Sequence, residues 1–582
     1  MARLLARWRP GRAAALLAAL AVLVGTVLSL AGSQAASGPV GNAAYTAATA
    51  ADAGTPPAID CTAVAKLDLA AIPGAPTAIT SAKVMAADAN SLGKWAACDV
   101  TGLVAPQIQF ELRLPLTGWQ QNYLQVGCGG NCGSVNLNNV PAAADCTPLT
   151  DGGFAVATNN EGHFNGSGVF ATDPTLRVDF GYKADHEVAV AAKEIIKRFY
   201  GRAATHSYFS GCSQGGHQAL TEAQRYPKDF NGIVAGAPAN NWTALNVFAH
   251  AWNAQAVYSD NGRATLTTPD LAPLHAAVLK GCGATDGVIT DPLSCTWDPA
   301  SIKCAAGQTS APDDFCLNAA QVKTLHKLYA GPHDENGKLL YPGWQLLGSE
   351  LNWDVIVPAT ADTPSGDQNF VKETIRYMVF PNARPTLTYK DVKFTSAYFN
   401  NLLRLNHATY DATDPDLSAF KAAGGKLILW HGLGDQHIPA VGTMAYYKAV
   451  SKTMGGTART ESFARLFLLP GVAHCGGGQG PNSFDALSAV MDWVTAGKAP
   501  ASLVTNRLGT DGGTVASRPV FPYPYIAVNT TGGPADRASS YTKQLSTAER
   551  DVRVDYLGGF RSGYETVSSW IDGKWVTRPG KS

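Results

Sequence analysis

At 582 residues the chain is too long for one minimal domain and long enough to bury a cleft. Hydrophobic residues make up 46% and charged ones 15%, with 59 Gly and 34 Pro, which excludes a largely disordered chain and fits a loop-rich folded one. Lys plus Arg equals Asp plus Glu at 45 each, so no net field draws the chain to nucleic acid, an anionic membrane or an acidic polymer.

The N-terminus reads as an export signal over 1–36: Arg3, Arg7, Arg9 and Arg12 precede an apolar run from Ala13 to Ala31, and small residues follow. An uncleaved membrane anchor is the competing reading, and the small residues at the exit favour cleavage. The Ala/Thr/Gly-rich stretch 37–57 reads as a flexible leader. An extracellular protein, free of the membrane after signal cleavage, is therefore expected. Eleven cysteines in an exported chain predict disulfides with one thiol left over.

Short apolar runs bounded by turn residues predict strands at Tyr123–Val126, Phe154–Ala157, Ser207–Phe209, Gly232–Ala235, Leu427–Trp430 and Leu466–Leu469. A helix is predicted over His186–Tyr200, with Val188, Ala191, Ala192, Ile195 and Phe199 on one face and Gly201 as its stop. Alternating strands and helices predict a mostly parallel α/β sheet. The catalytic domain is assigned to 58–239 and 416–582. The intervening 240–415, irregular and Pro-rich, reads as an inserted lid domain near the active site.

The sharpest motif is Gly211-Cys212-Ser213-Gln214-Gly215, after a strand and before a helix-compatible run, the layout of a nucleophile elbow. A serine hydroxyl needs a base held by a third group. Two late loops supply them, each after a predicted strand: His431-Gly-Leu-Gly-Asp435-Gln-His437 and Pro470-Gly-Val-Ala-His474-Cys475. Ser213, Asp435 and His474 stand in the order expected for an α/β-hydrolase fold. His431 and His437 are rivals for the base, read as loop or pocket residues, and His217 reads as structural. One oxyanion donor is expected from the Gln214 N–H, the other from Gly129 or Gly130 in the glycine-rich loop after Val126. Cys128 and Cys132 admit a metal reading, but no second close pair follows at zinc-site spacing. Cys212 and Cys475 flank the proposed nucleophile and base, so a disulfide between them would tie the two loops together.

Gly211-Cys-Ser-Gln-Gly-Gly216 together with His474-Cys-Gly-Gly477 resembles the tannase and feruloyl esterase family, which includes hydrolases of terephthalate monoesters. Further similar stretches run through Trp119–Gly130, Asp179–His186, Gly232–Pro238, Cys316–Pro332 and Pro342–Glu350, so the resemblance covers nearly the whole mature chain. It implies Ser213, Asp435 and His474 as the triad, a Cys212–Cys475 disulfide, and a lid that shapes an aromatic-acid pocket. It also implies the pairs Cys61–Cys98, Cys282–Cys295 and Cys304–Cys316. Of Cys128, Cys132 and Cys146, one should stay unpaired or cross-link outside.

Two departures stand out. The family's lid carries a structural calcium on an Asp-rich loop, whereas Cys282–Asp291 is shortened, with Asp286 and backbone carbonyls of Ala284 and Val288 as its matching donors; calcium needs six or more oxygens. Asn159-Asn-Glu161-Gly-His163 stands where the family tends to have an Asp. The leading expectation is a secreted serine esterase that requires no cofactor and cleaves aromatic-acid esters, free or carried on plant polysaccharide or polyphenol. A terephthalate monoester hydrolase, a general esterase or a peptidase are alternatives within hydrolases, to be distinguished by lid residues such as Trp353, Phe370, Arg376 and Phe399. A non-catalytic binding protein is the alternative from another class.

Overall fold

Nine strands form one mixed sheet: β1 (Thr77–Met85), β2 (Ala97–Val104), β3 (Ile108–Pro115), β4 (Asn122–Val126), β5 (Phe154–Asn159), β6 (His206–Cys212), β7 (Gly232–Gly236), β8 (Lys426–Gly432) and β9 (Ala464–Leu469). They belong to a computed structural model that describes residues 54–137, 140–311 and 313–546, and the backbone of an antiparallel strand pair at 566–571 and 574–579. The export signal at 1–36 and the leader up to residue 53 lie outside the described residues.

The strand order is β1-β2-β3-β5-β4-β6-β7-β8-β9. The β1–β2, β2–β3 and β3–β5 pairs are antiparallel, and all pairs from β5–β4 to β8–β9 are parallel. All six predicted apolar runs are strands, β4 to β9. Every residue of β4, β5 and β7 is buried, as expected of strands covered on both faces. Period-two alternation sends Leu427 and Leu429 into the core on one side and Ile428 and Trp430 into that on the other. β1 to β3 were not predicted: Asp99, Thr101, Glu111 and Arg113 interrupt their apolar patterns, and β1 is an edge strand with many exposed positions.

The predicted helix spans Ala184–Tyr200 and stops at Gly201, whose φ of 70° suits glycine. Its predicted apolar face packs into the same core as Tyr123 and Phe209.

Between β7 and β8 the chain leaves the sheet, and this stretch is more regular than expected. It holds helices His250–Val257, Thr268–Gly281, Ala319–Ala330, Gly366–Glu373 and Ser396–Tyr410. Capping boxes explain two of them: Thr267 with Asp270, and Asn318 with Gln321. An apolar cluster including Leu271, Leu274, Leu325, Trp353 and Ile356 forms a core within this segment. After β9 come the helix Ala486–Ala496 and two antiparallel hairpins, β10 (Leu503–Leu508) with β11 (Thr514–Val520), and β12 (Tyr525–Asn529) with β13 (Tyr541–Leu545). Among the described residues no helix is long and apolar enough to cross a membrane.

Candidate active site

The carboxyl ends of β6, β8 and β9 carry Ser213, Asp435 and His474 on the connections that follow. Ser213 joins β6 to the helix Gln214–Arg225 with φ 66° and ψ −120°, a strained conformation for a residue with a side chain. Neighbouring glycines make the turn possible. A Cβ on Gly211 would strike the Gly215 backbone, and one on Gly216 would strike the Gly236 carbonyl in β7.

The Asp435 carboxylate is fully engaged. Oδ1 accepts the N–H groups of His437 at 2.9 Å and Ile438 at 2.8 Å; Oδ2 accepts from His474 Nδ1 at 2.8 Å and His431 Nε2 at 3.1 Å. Burial alone would push this carboxyl up. The charge of His474 and the hydrogen bonds from both histidines outweigh burial and hold it well below the ordinary carboxylate range.

His431 is buried, with Nδ1 facing the Thr443 hydroxyl at 2.8 Å and Nε2 also near the Ile438 carbonyl at 2.7 Å. It is a second support for Asp435. The His437 ring lies tilted against that of His474 with centroids 4.7 Å apart, and burial followed by the charge of His474 lowers its pKa to about 3. His217 is buried, holds the Tyr410 carbonyl at 2.6 Å, and is lowered to about 4 by burial.

Cys212 and Cys475 are disulfide-bonded with Cα atoms 5.9 Å apart, which brings the residues next to them, Ser213 and His474, to one cavity of about 700 Å³. The Ser213 hydroxyl and His474 share this cavity without a direct hydrogen bond among the described contacts; such bonds commonly tighten on substrate binding. Gly129, Gly130 and Gln214 line it too. In that loop the Gly127 N–H is spent on the Ser210 carbonyl and the Cys128 N–H on Gln218 Oε1. Those two N–H groups are thereby unavailable to a ligand, while Gly129 and Gly130 face the cavity. Gln218, one turn into the elbow helix, braces the loop; sequence reasoning missed it because it lies in no motif.

Cys128 and Cys132 form a disulfide, which removes their thiolates from any metal reading. The pairs Cys61–Cys98, Cys282–Cys295 and Cys304–Cys316 are also present, leaving Cys146 buried and unpaired. Burial, then the charge of Asp485, pushes the Cys146 thiol up to about 12.

The shortened Cys282–Asp291 loop does not fit calcium. Asp286 Oδ2 accepts from Arg518 Nη1 at 3.2 Å, Asp291 Oδ2 accepts from the Ser546 hydroxyl at 2.6 Å, and a second Arg518 nitrogen donates to Thr290. A guanidinium supplies the positive charge there, and no cluster of three His, Cys, Asp or Glu side chains suits a metal among the described residues.

Of the four lid residues singled out from sequence, Phe370 lines the cavity. Trp353 is buried in the segment's own core, Phe399 packs in another apolar cluster, and Arg376 donates to the Leu387 carbonyl at 2.7 Å. The wall is completed by Trp242, Asn246, His250 and Phe484, none of which belongs to a sequence motif. At the Asn159–His163 departure, Asn159 donates to Asp185 at 2.7 Å, and Glu161 is held far above the carboxylate range by burial and by the neighbouring Asp185.

The family model for tannase and feruloyl esterase matches residues 89–544. An uncharacterised esterase of Xanthomonas campestris pv. campestris is 31% identical, covering 76% of this chain and 84% of its own length. The mono(2-hydroxyethyl) terephthalate hydrolase of Piscinibacter sakaiensis is 31% identical over 74% of this chain and 82% of its own. The crystal structure of feruloyl esterase B from Aspergillus oryzae superposes with a TM-score of 0.71 at 26% identity, covering 83% of this chain and all of that one. These likenesses agree with an α/β-hydrolase fold and a carboxylic ester hydrolase, and the chain belongs to the tannase and feruloyl esterase family.

Proposed function

We propose that this chain is a secreted esterase that cleaves esters of aromatic acids through an acyl-enzyme on Ser213. The observation that carries the reading is the arrangement at one cavity: a serine on a strained elbow, tied by Cys212–Cys475 to a histidine whose Nδ1 lies 2.8 Å from a buried carboxylate. In this reading His474 takes the Ser213 proton as Oγ attacks the ester carbonyl. The N–H of Gln214, with that of Gly129 or Gly130, receives the oxyanion. The bond to the alcohol then breaks, and His474 returns the proton to the departing oxygen. Water, deprotonated by the same histidine, attacks the acyl-enzyme; the bond to Ser213 Oγ breaks, His474 returns the proton to Oγ, and the acid leaves. Asp435 fixes the imidazole tautomer and balances its charge; no step draws on a metal or redox cofactor.

Residues 58–239 and 416–582 would form the catalytic domain and 240–415 the lid. Five disulfides support an oxidising destination. The relatives' names support both phenolic and terephthalate esters as substrates. The test is hydrolysis of methyl ferulate, methyl gallate, mono(2-hydroxyethyl) terephthalate and p-nitrophenyl acetate by the mature protein and its Ser213→Ala variant. Activity lost in the variant supports the reading; equal activity in both overturns Ser213 as nucleophile, and equal inactivity favours a binding protein.

A further inference from the structure

A row of rings leads away from His474 along the cavity. His437 contacts His474 at 4.7 Å, Phe370 meets His437 edge-on at 5.7 Å, and His250 lies nearly parallel to Phe370 at 5.1 Å. All four line the cavity. At the far end His250 Nδ1 donates to Asp367 Oδ1 at 2.6 Å, with the two side chains 4% and 0% exposed. Asp367 and Phe370 share the helix Gly366–Glu373, while His250 follows a π-helical turn at Ala244–Ala249. This buried His–Asp pair is separate from the one beside the serine.

With Nδ1 committed to a carboxylate, Nε2 is the ring nitrogen left to meet a ligand, and the carboxylate strengthens it as an acceptor. We propose that His250, oriented by Asp367, recognises the phenolic hydroxyl on the acyl ring of the substrate by accepting its O–H at Nε2. This rests on the esterase reading above and names the substrate's recognition group. The surroundings favour a neutral donor. Among the described residues lining the cavity there is no Lys or Arg, so a substrate carboxylate would enter beside the Asp367 charge without a cation to pair with. A phenol brings no charge, and Phe370 and Trp242 offer aromatic surface to its ring.

Three esters test this on the wild-type protein: methyl 4-hydroxycinnamate, methyl 4-methoxycinnamate and methyl cinnamate. One buried hydrogen bond predicts a kcat/KM preference of about tenfold or more for the hydroxylated ester over both others. His250→Phe should bring that ratio close to one. His250→Gln, which keeps an acceptor, should restore part of it. Asp367 is a positioning residue, so Asp367→Asn should lower the ratio more than it lowers methyl cinnamate turnover; a purely structural role would lower all esters together.

A wild-type ratio near one, or equal hydrolysis of the methoxy and hydroxy esters, overturns the proposal without any variant. Equal loss on every ester in His250→Phe does the same. These outcomes leave the esterase reading standing. Failure to cleave any ester, with no fluorophosphonate labelling of Ser213, would remove that reading and this proposal with it.

Discussion

Asp435 and Asp179 are both buried carboxylates, and their surroundings push them in opposite directions. Asp435 has a hydrogen bond for every lone pair that matters and is held low, so its stabilising effect is present above the unfolded carboxylate pKa and is lost as pH falls. Asp435→Asn should cut kcat by about 10³–10⁴-fold by releasing the His474 tautomer, measured by steady-state hydrolysis of methyl cinnamate; a loss under tenfold would count against an orienting role. Asp179 has neither oxygen satisfied, and burial raises it to about 6 despite the charge of Lys183. A carboxyl raised in the folded state binds its proton more tightly there, so stability falls as pH rises from about 4 to about 6. Asp179→Asn should therefore be stabilising by up to about 2 kcal/mol at pH 7 and by almost nothing at pH 3.5, read from denaturant midpoints at both. Ser213, Asp435 and His474 were legible because each sits in a local signature beside an apolar run. His250 and Asp367 were not: they are 117 residues apart, and a lone histidine and a lone aspartate carry no spacing that points to each other.

At the scale of elements, close packing of backbone against backbone sets the site. Gly127 in the loop after β4 sits where a Cβ would fall 2.6 Å from Gln218 Oε1 and 2.7 Å from Gly215 Cα. Gly127→Ala should push this loop off the elbow helix, lowering kcat more than tenfold with KM little changed, since in the proposed mechanism the displaced N–H of Gly129 or Gly130 would serve the transition state. Loss of KM alone would show that the loop binds substrate without serving the oxyanion. The parallel half of the sheet was readable because strands covered on both faces become continuous apolar runs. The antiparallel β1 to β3 were hidden by polar residues such as Glu111 and Arg113, which pair with each other at 2.7 Å on β3. The inserted helices were hidden by Pro-rich composition, although two of their capping boxes are visible in the sequence once the helices are known.

Across the whole molecule, Arg518 connects parts distant in sequence: it joins Asp286 and Thr290 in the inserted segment to Ala527 on β12. Arg518 is buried while Asp286 is exposed, so its removal costs hydrogen bonds to Asp286, Thr290 and Ala527 rather than a buried ion pair. Arg518→Gln should lower stability by about 1–2 kcal/mol, with a fall in Tm that added calcium does not reverse, while EDTA leaves the wild-type Tm unchanged. An EDTA-sensitive wild type would mean that the loop holds a cation after all. The resemblance pointed to this loop, but the guanidinium that reaches it comes from 232 residues downstream, a contact that no motif encodes.

The Cys212–Cys475 bond also sets an order in time. Cys212, beside the elbow serine, is synthesised 263 residues ahead of Cys475, beside His474. A nascent chain can thus present a finished elbow for a long interval while the histidine and its aspartate are still missing. Competence arrives late, with the last strand of the sheet, and its covalent lock closes only where thiols are oxidised.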